Sequence, residues 1–261
     1  MIKKSDNWKY NYVYYMEFPG PVYVIYMPQR EEYIRKVFSY MGIKAQFVPA
    51  VNAKELPPLY QLHHDGLIGD KYLSKYLANE NYPHMDLRAF EEDPKNSIYI
   101  NSKLKGVLAL QLSYMRIFEL FLNTKKSHCF IFEDDILQKN STKTARRLQD
   151  IFKELPESYD IINLGRCFDK CKQNRKYSKN LVVNTKPLCT HACGYSVNIA
   201  EYVLQNALPM QEACDTLLRR LYQKSGFSAS PALFFQNKAL AGLLGNVAFM
   251  PECSDNIKKK P

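Results

Sequence analysis

Strand-like and helix-like segments alternate along the first fifty residues. A strand is predicted at Val22–Tyr26, where β-branched and aromatic residues follow one another between glycine and proline residues. Apolar side chains at helical spacing then predict a helix over Glu31–Met41 that ends at Gly42. Residues 44–48 predict a second strand. Alternation of this kind is typical of an α/β protein.

The same alternation continues further along the chain. Helical spacing over residues 103–122 is followed by the apolar run Cys129-Phe130-Ile131-Phe132, which is typical of a strand buried in a parallel sheet. Residues 54–102 lack a clear period and predict an insert with short helices, and residues 166–186 predict a polar loop. The remaining predictions are helices over 141–155, 199–206 and 212–225, strands over 160–164 and 192–197, and an extended segment over 231–236.

Length and composition fit one globular domain. The chain has 261 residues, of which 46% are hydrophobic and 24% charged, and these values exclude intrinsic disorder, collagen and coiled coil. We expect a single domain over residues 1–255 and a disordered basic tail over 256–261. No stretch approaches the roughly 20 apolar residues of a membrane helix, and no signal peptide is apparent. The expected location is cytoplasmic, with peripheral membrane contact left open.

The net charge of +10, from 36 Lys and Arg against 26 Asp and Glu, suggests an anionic partner. No helix-turn-helix, zinc-finger or RNA-binding aromatic signature is present, so nucleic acid is not the expected partner. The excess lies mainly between residues 139 and 186. We interpret it as a field around a phosphorylated ligand or as attraction to an anionic acceptor or membrane surface.

The seven cysteines form no CxxC pair. Three lie in apolar segments and are expected to be buried reduced thiols: Cys129, Cys193 and Cys214. Three others flank a polar basic segment and are candidates for a bond that staples a loop: Cys167, Cys171 and Cys189. The spacing of His191 with its neighbouring cysteines resembles no common zinc pattern.

The strongest chemical signal is the acidic run Glu133-Asp134-Asp135, directly after the buried apolar strand. Ligands of open α/β sheets bind beyond the carboxyl ends of strands, and three acids there repel one another unless a cation compensates. On an extended chain Glu133 and Asp135 point to the same side. Mg²⁺ or Mn²⁺ takes one or two such carboxylates together with phosphate oxygens and water. The alternative is an acidic helix cap or a solvated turn.

Seven motifs occur in the order in which one enzyme family carries them. They are residues 24–30 (VIYMPQR), 47–53 (FVPAVNA), 106–114 (GVLALQLSY), 131–135 (IFEDD), 159–165 (YDIINLG), 187–195 (PLCTHACGY) and the Asp-x-x-Leu of 215–218. Together they resemble glycosyltransferase family 25, which includes lipooligosaccharide and procollagen galactosyltransferases. Tyr114, Ala53 and Leu110 stand where that family usually has His, Gly and Cys.

The resemblance implies a single GT-A-like (Rossmann-like) α/β domain with a mixed, mostly parallel central sheet flanked by helices. It further implies transfer of a hexose, galactose or glucose, from a UDP-sugar to a glycan or glycoprotein acceptor, with inversion. A bound Mn²⁺ or Mg²⁺ would neutralise the leaving diphosphate. Asp135 is the first candidate for metal ligand, with Glu133 or Asp134 assisting by contacts to the metal or the ribose.

Other donor-site candidates each have a structural alternative. Arg30 could contact the diphosphate, or it could be a surface residue that opens a helix. The turn of Ala50, Val51 and Asn52 is expected beside the nucleoside, although Asn often simply closes a loop. Ser113 could reach the donor pocket or serve packing alone.

Two further residues complete the candidate site. Inversion requires a base for the acceptor hydroxyl, and Asp215 is the candidate; its alternative is a helix N-terminal acid interacting with the dipole. His191 could be a late metal ligand or a diphosphate contact, or else a structural histidine.

Two other functions use the same residues. One is a metal-dependent phosphoryl-transfer enzyme or nuclease, which would need further carboxylates for a second metal, with Asp160 as the obvious candidate. The other is a catalytically inactive, transferase-like binding module.

Overall fold

The fold is described by a computed structural model that covers residues 16–77, 84–138, 141–183, 185–237, 240 and 252–253. Its strands are β1 Val22–Tyr26, β2 Gln46–Pro49, β3 His128–Glu133, β4 Ile136–Leu137, β5 Ile161–Asn163, β6 Arg175–Lys176, β7 Leu181–Val183, β8 Ala192–Ser196, β9 Gly226–Ala229 and β10 Phe235–Gln236. Its helices are α1 Glu31–Met41, α2 Leu59–His64, α3 Asp70–Leu77, α4 Leu87–Glu92, α5 Pro94–Tyr99, α6 Gly106–Leu122, α7 Ser141–Glu154, α8 Val197–Asn206 and α9 Cys214–Ser225.

The central sheet has the strand order β2-β1-β3-β8-β5-β9-β7-β6. The pairings make six of these strands run in one direction, while β8 and β7 run in the other. The expected α/β fold with a mixed, mostly parallel sheet is thereby confirmed. The chain leaves β1 toward β2 on one side, whereas β3 pairs with β1 on the other. The strand order therefore reverses between β1 and β3, which is where open α/β sheets bind their ligands.

Alternation of side chains along β1 and β3 builds two core layers. Val22, Val24 and Tyr26 contribute to the core beneath α1 and α7. Tyr23 and Ile25 contribute to the opposite core, beneath α6, α8 and α9. Because both faces are covered, the strands are apolar throughout, as the predicted buried strands require.

The insert between β2 and α6 has an apolar cluster of its own. The expected short helices are present as α2 to α5, and their buried side chains pack with Leu104, just before α6, and with Leu108 in its first turn. The predicted long helix starts differently: residues Ile100–Lys105 are π-helical, and the α-helix begins at Gly106. π-Helical turns of this kind often accompany functional sites.

Two predicted segments differ from the structure. The polar loop of residues 166–186 contains strands β6 and β7, and residues that the pattern left outside any strand form β9. These strands have only two to four residues, and they exist because β7 and β9 pair with each other and β9 pairs with β5. Such short strands form because of their partners in the sheet, so their own residues show no alternation of apolar and polar positions from which a strand could be predicted. The predicted tail of 256–261 and the chain start lie outside the described residues.

Two disulfide bonds anchor the segment that follows β5. Cys167 is bonded to Cys189, and Cys171 is bonded to Cys253 across 82 positions of sequence. The prediction that Cys167, Cys171 and Cys189 can form bonds that staple a loop is thus confirmed. The three thiols predicted to be buried and reduced are so: Cys129, Cys193 and Cys214. Among the described helices, none combines the length and apolarity needed to cross a bilayer.

Removing the long disulfide should cost more stability than removing the short one. Closing a longer loop takes more entropy from the unfolded chain, so Cys171→Ser/Cys253→Ser should lower the free energy of unfolding by ~1 kcal/mol more than Cys167→Ser/Cys189→Ser. Urea titration of both variants and the wild type measures this difference. Excess dithiothreitol is the control and should abolish it. A larger loss from the short pair, or a difference that survives reduction, would contradict this account.

Candidate active site

The acidic triplet lies at the carboxyl ends of the adjacent parallel strands β1 and β3, where the strand order reverses. Glu133 is the last residue of β3, and the chain turns at Asp134 and Asp135 before β4. The expectation that Glu133 and Asp135 point to the same side of an extended strand is therefore wrong, because Asp135 lies in the turn. The two carboxylates are still close enough for the Asp135 charge to raise the pKa of Glu133.

Asp134 joins the triplet to the end of β1. Its carboxylate accepts a hydrogen bond from the Met27 backbone N–H at 2.6 Å and another from Arg30 Nη1 at 2.8 Å. Arg30 ends the short 3₁₀ turn Pro28–Arg30, and its Nη2 donates to the Leu240 carbonyl at 2.8 Å. Arg30 is thus not a free surface residue. It neutralises Asp134 and connects the triplet to the C-terminal part of the chain.

Asp135 carries the one triplet oxygen that is buried without a partner in the described structure. Its side chain is only slightly accessible, and Oδ2 accepts from Gln236 Nε2 at 3.2 Å while Oδ1 has no hydrogen bond. Its backbone carbonyl accepts from the Asn237 N–H at 2.5 Å. Pairing of β10 with β4 brings Gln236 here. The sequence predicted an extended segment over 231–236 but gave no sign of its contact with Asp135.

Glu133 is held by hydroxyl groups from two other elements. Its Oε1 accepts from Thr190 Oγ1 at 2.8 Å and lies 3.2 Å from the Tyr114 hydroxyl. That hydroxyl is also 3.0 Å from the Thr190 carbonyl, so its single proton is shared between two acceptors. Neither residue was among the predicted site residues. One indication of a role for Tyr114 was present in the sequence, because it stands where family 25 usually has His.

Two members of the triplet are costly to ionise. Burial, followed by the charge of Asp135, raises the pKa of Glu133 to about 8, against the hydrogen bonds from Thr190 and Tyr114. Burial and the Asp134 charge raise the pKa of Asp135 to about 6, although Arg30 acts in the opposite direction. A cation placed beside these groups would favour their charged forms.

The donor set fits a cation that is held mainly by its substrate. Within the described ranges, no group of three or more His, Cys, Asp or Glu side chains is arranged to hold a metal ion. Both oxygens of Asp134 and one of Glu133 already accept protein hydrogen bonds. Asp135 Oδ1 accepts none from the residues that the structure describes. Mg²⁺ is commonly bound by one or two carboxylates plus substrate phosphates, and Asp135 suits that role.

His191 is connected to the triplet through its backbone. Its carbonyl accepts from the Glu133 N–H at 3.0 Å, and its ring is buried with Nε2 3.4 Å from the Phe234 carbonyl. Burial lowers the pKa of His191 to about 4, so the ring is neutral at pH 7. Gly165 packs against it, because a Cβ there would lie 2.3 Å from Nε2. The ring Nδ1 has no partner in the described structure, which leaves the proposed ligand role untested.

The turn after β2 lies at the same edge of the sheet, since β2 is parallel to β1. The Ala50 N–H donates to Tyr26 O at 2.8 Å, and the Val51 N–H donates to Ser113 Oγ at 2.8 Å. Ser113 therefore fixes the turn to α6. Asn52 caps the following 3₁₀ turn through Lys54 N–H, which is the loop-closing role given above as its alternative.

Asp215 lies in the first turn of α9, partly buried. Its Oδ1 accepts from Thr216 Oγ1 at 3.3 Å. Burial raises its pKa, while Thr216, Arg219 and Lys75 act to lower it. Because α9 leads into β9, which is parallel to β5, its N-terminus lies at the carboxyl edge of the sheet, the edge that carries the acidic triplet.

A sequence model of one enzyme family matches most of this chain. The model of glycosyltransferase family 25 (LPS biosynthesis protein) matches residues 21–218, from β1 into α9. This chain belongs to glycosyltransferase family 25. Comparison with curated protein sequences gives no match. The match contains every predicted site residue of this family 25 glycosyltransferase, whereas Gln236 and Leu240, which contact the triplet and Arg30, lie beyond it.

Replacing Glu133 should stabilise the protein without ligands. A carboxyl group whose pKa is raised on folding contributes most below its unfolded value, and the contribution is lost as the pH rises through the folded value. Glu133→Gln keeps an oxygen for Thr190 and Tyr114 but carries no charge. Its free energy of unfolding should exceed that of the wild type, by more at pH 8 than at pH 5, in urea titrations.

Glu154→Gln is the matched control, because folding lowers the pKa of Glu154 whereas it raises that of Glu133. Burial acts to raise the pKa of Glu154, but hydrogen bonds from Ser178 and Asn180 lower it overall. Such a group stabilises the fold above its unfolded pKa, so Glu154→Gln should destabilise at both pH values. An unchanged or reduced stability of Glu133→Gln at pH 8 would refute the electrostatic account of the triplet.

Proposed function

We propose that this family 25 glycosyltransferase moves a hexose, galactose or glucose, from a UDP-sugar to a glycan or glycoprotein acceptor, with Mn²⁺ or Mg²⁺ and with inversion. The observation that carries the proposal is the buried oxygen of Asp135 that has no partner among the described residues, within an acidic triplet at the reversal point of the sheet. A cation and the diphosphate of a nucleotide-sugar are the chemical complement of that arrangement.

Each element around the triplet has a role in binding the donor. The cation, when bound, neutralises the charge that the diphosphate develops as the glycosidic bond breaks. Asp135 provides the protein oxygen that holds it, and Gln236 fixes that carboxylate. Arg30 and the Met27 N–H hold Asp134 in place, while the turn of residues 50–52 lies beside the nucleoside.

Inversion needs a base on the side of the sugar opposite the leaving diphosphate. In the proposal Asp215 takes the proton of the acceptor hydroxyl as that oxygen attacks the sugar. The burial that raises its pKa makes it a better proton acceptor than an exposed aspartate. Its position on the first turn of α9 holds it on a regular element.

The phosphoryl-transfer alternative is disfavoured by the position of Asp160. It precedes β5, so it lies at the amino-terminal edge of the sheet, opposite the triplet. Its carboxylate accepts from Ser196 Oγ at 2.9 Å and from the Ser225 hydroxyl. A second metal would therefore lack the carboxylate that this hypothesis assigned to it.

The cytoplasmic location stays a prediction. Disulfide bonds persist mainly in oxidising compartments, and the two described here favour such an environment.

Calorimetric titration of UDP, GDP and ADP, with and without Mn²⁺, tests the proposal. UDP should bind only with Mn²⁺, and Asp135→Asn should weaken that binding at least about tenfold, a loss of about 1.4 kcal/mol. Asp150→Asn, at an exposed acid of α7, is the matched control and should bind as the wild type does. Binding of no nucleotide, or undiminished binding by Asp135→Asn, would refute it and favour an inactive binding module.

A further inference from the structure

A run of exposed cations follows β5 and continues into the edge strand β6. It consists of five exposed side chains, here called the basic platform: Lys170, Lys172, Arg175, Lys176 and Lys179. Residues 170–180 contain no acid. The two cations of β6 occupy an edge strand of the sheet.

The two cations of β6 are too distant to act on the donor diphosphate. Five strand spacings separate β6 from β3 in the sheet, which is ~24 Å at ~4.8 Å per spacing. Exposed charges interact weakly beyond ~10 Å at 0.1 M salt. The interpretation of the charge excess as a field around the donor therefore does not extend to Arg175 and Lys176 of β6.

The platform is held in place by its flanks. Asp169 is fully buried and accepts from Arg166 at 2.7 Å, from Asn174 Nδ2 at 2.6 Å and from the Lys186 N–H at 2.8 Å. The Cys171 disulfide fixes one end of the segment, and β6 pairs with β7 at the other. Asp169 is thus matched by the buried Arg166. Glu154 is a second acid beside the platform, since its carboxylate accepts from the Asn180 N–H at 2.9 Å and its charge interacts with that of Lys179.

An aromatic side chain stands among these cations. Tyr177 is 48% exposed, and its ring contacts Phe227 with a centroid distance of 4.9 Å. Tyrosine flanked by lysine and arginine is the composition of segments that lie at the headgroup level of membranes. Each such cation near an anionic bilayer strengthens binding about fivefold.

We propose that the basic platform docks the protein onto an anionic lipid bilayer. Lysines of an edge strand also block strand-to-strand association, and that alone would explain β6 but not the cations outside it or the exposed tyrosine. Docking does not depend on the identity of the donor sugar.

Sedimentation with lipid vesicles tests the docking. The full chain should bind vesicles of phosphatidylcholine containing about 30% phosphatidylglycerol, bind pure phosphatidylcholine weakly, and dissociate as salt rises. Arg175→Glu/Lys176→Glu should lower the partition coefficient at least about tenfold. Lys44→Glu/Lys126→Glu changes the charge equally at exposed positions just before β2 and β3, away from β6, and should retain most of the binding. Tyr177→Ser should weaken binding several-fold, by about the contribution of one interfacial aromatic.

Three outcomes would overturn the docking proposal. They are absence of wild-type binding to the anionic vesicles, equal losses in both charge-reversal variants, and retention on an acidic polysaccharide column without vesicle binding. Lys170→Glu/Lys179→Glu provides a second variant if the first fails to fold, which circular dichroism establishes. Mn²⁺-dependent UDP binding by the platform variants should equal that of the wild type, so failure of docking and failure of the proposed function are distinguishable.

Discussion

The cost of placing three carboxylates at the buried end of β3 governs the rest of the site. Each member of the triplet is compensated by a different part of the chain. The 3₁₀ turn before α1 supplies Arg30 to Asp134. Helix α6 and the segment before β8 supply hydroxyls to Glu133, and the C-terminal segment supplies an amide to Asp135. The compensation is incomplete, because the pKa values of Glu133 and Asp135 remain raised. What is missing is positive charge, and a cation would supply it.

The topology explains why these groups meet. Parallel pairing of β1 with β3 sets Met27 beside Asp134, and antiparallel pairing of β3 with β8 sets His191 beside Glu133. The apolar strand that precedes the triplet is buried on both faces, so the carboxylates cannot move toward solvent without disturbing the core. Hydrogen bonds from three other segments hold Asp134 and Glu133 in this position without a ligand.

Local signals predicted much of the fold. Strand β1 and helix α1 match their predicted bounds because their periodicity and a left-handed Gly42 are encoded within a few residues. The triplet was found for a similar reason, as an apolar strand running directly into acids. Thr190 and Gln236 could not be found this way, since 57 and 101 positions separate them from their partners. Only the pairing of distant strands brings them to the site. Asn52 shows the converse, a residue in a family motif whose observed bonds close a loop.

The central claim is that this edge of the sheet consumes a nucleotide-sugar. Proton NMR of UDP-galactose or UDP-glucose incubated with the protein and Mn²⁺ tests it directly, because slow hydrolysis of the donor needs no knowledge of the acceptor. The account predicts Mn²⁺-dependent release of UDP, with the β-anomer of the sugar appearing first from an α-linked donor. Intact donor after prolonged incubation with folded protein, for every UDP-hexose supplied, would contradict it.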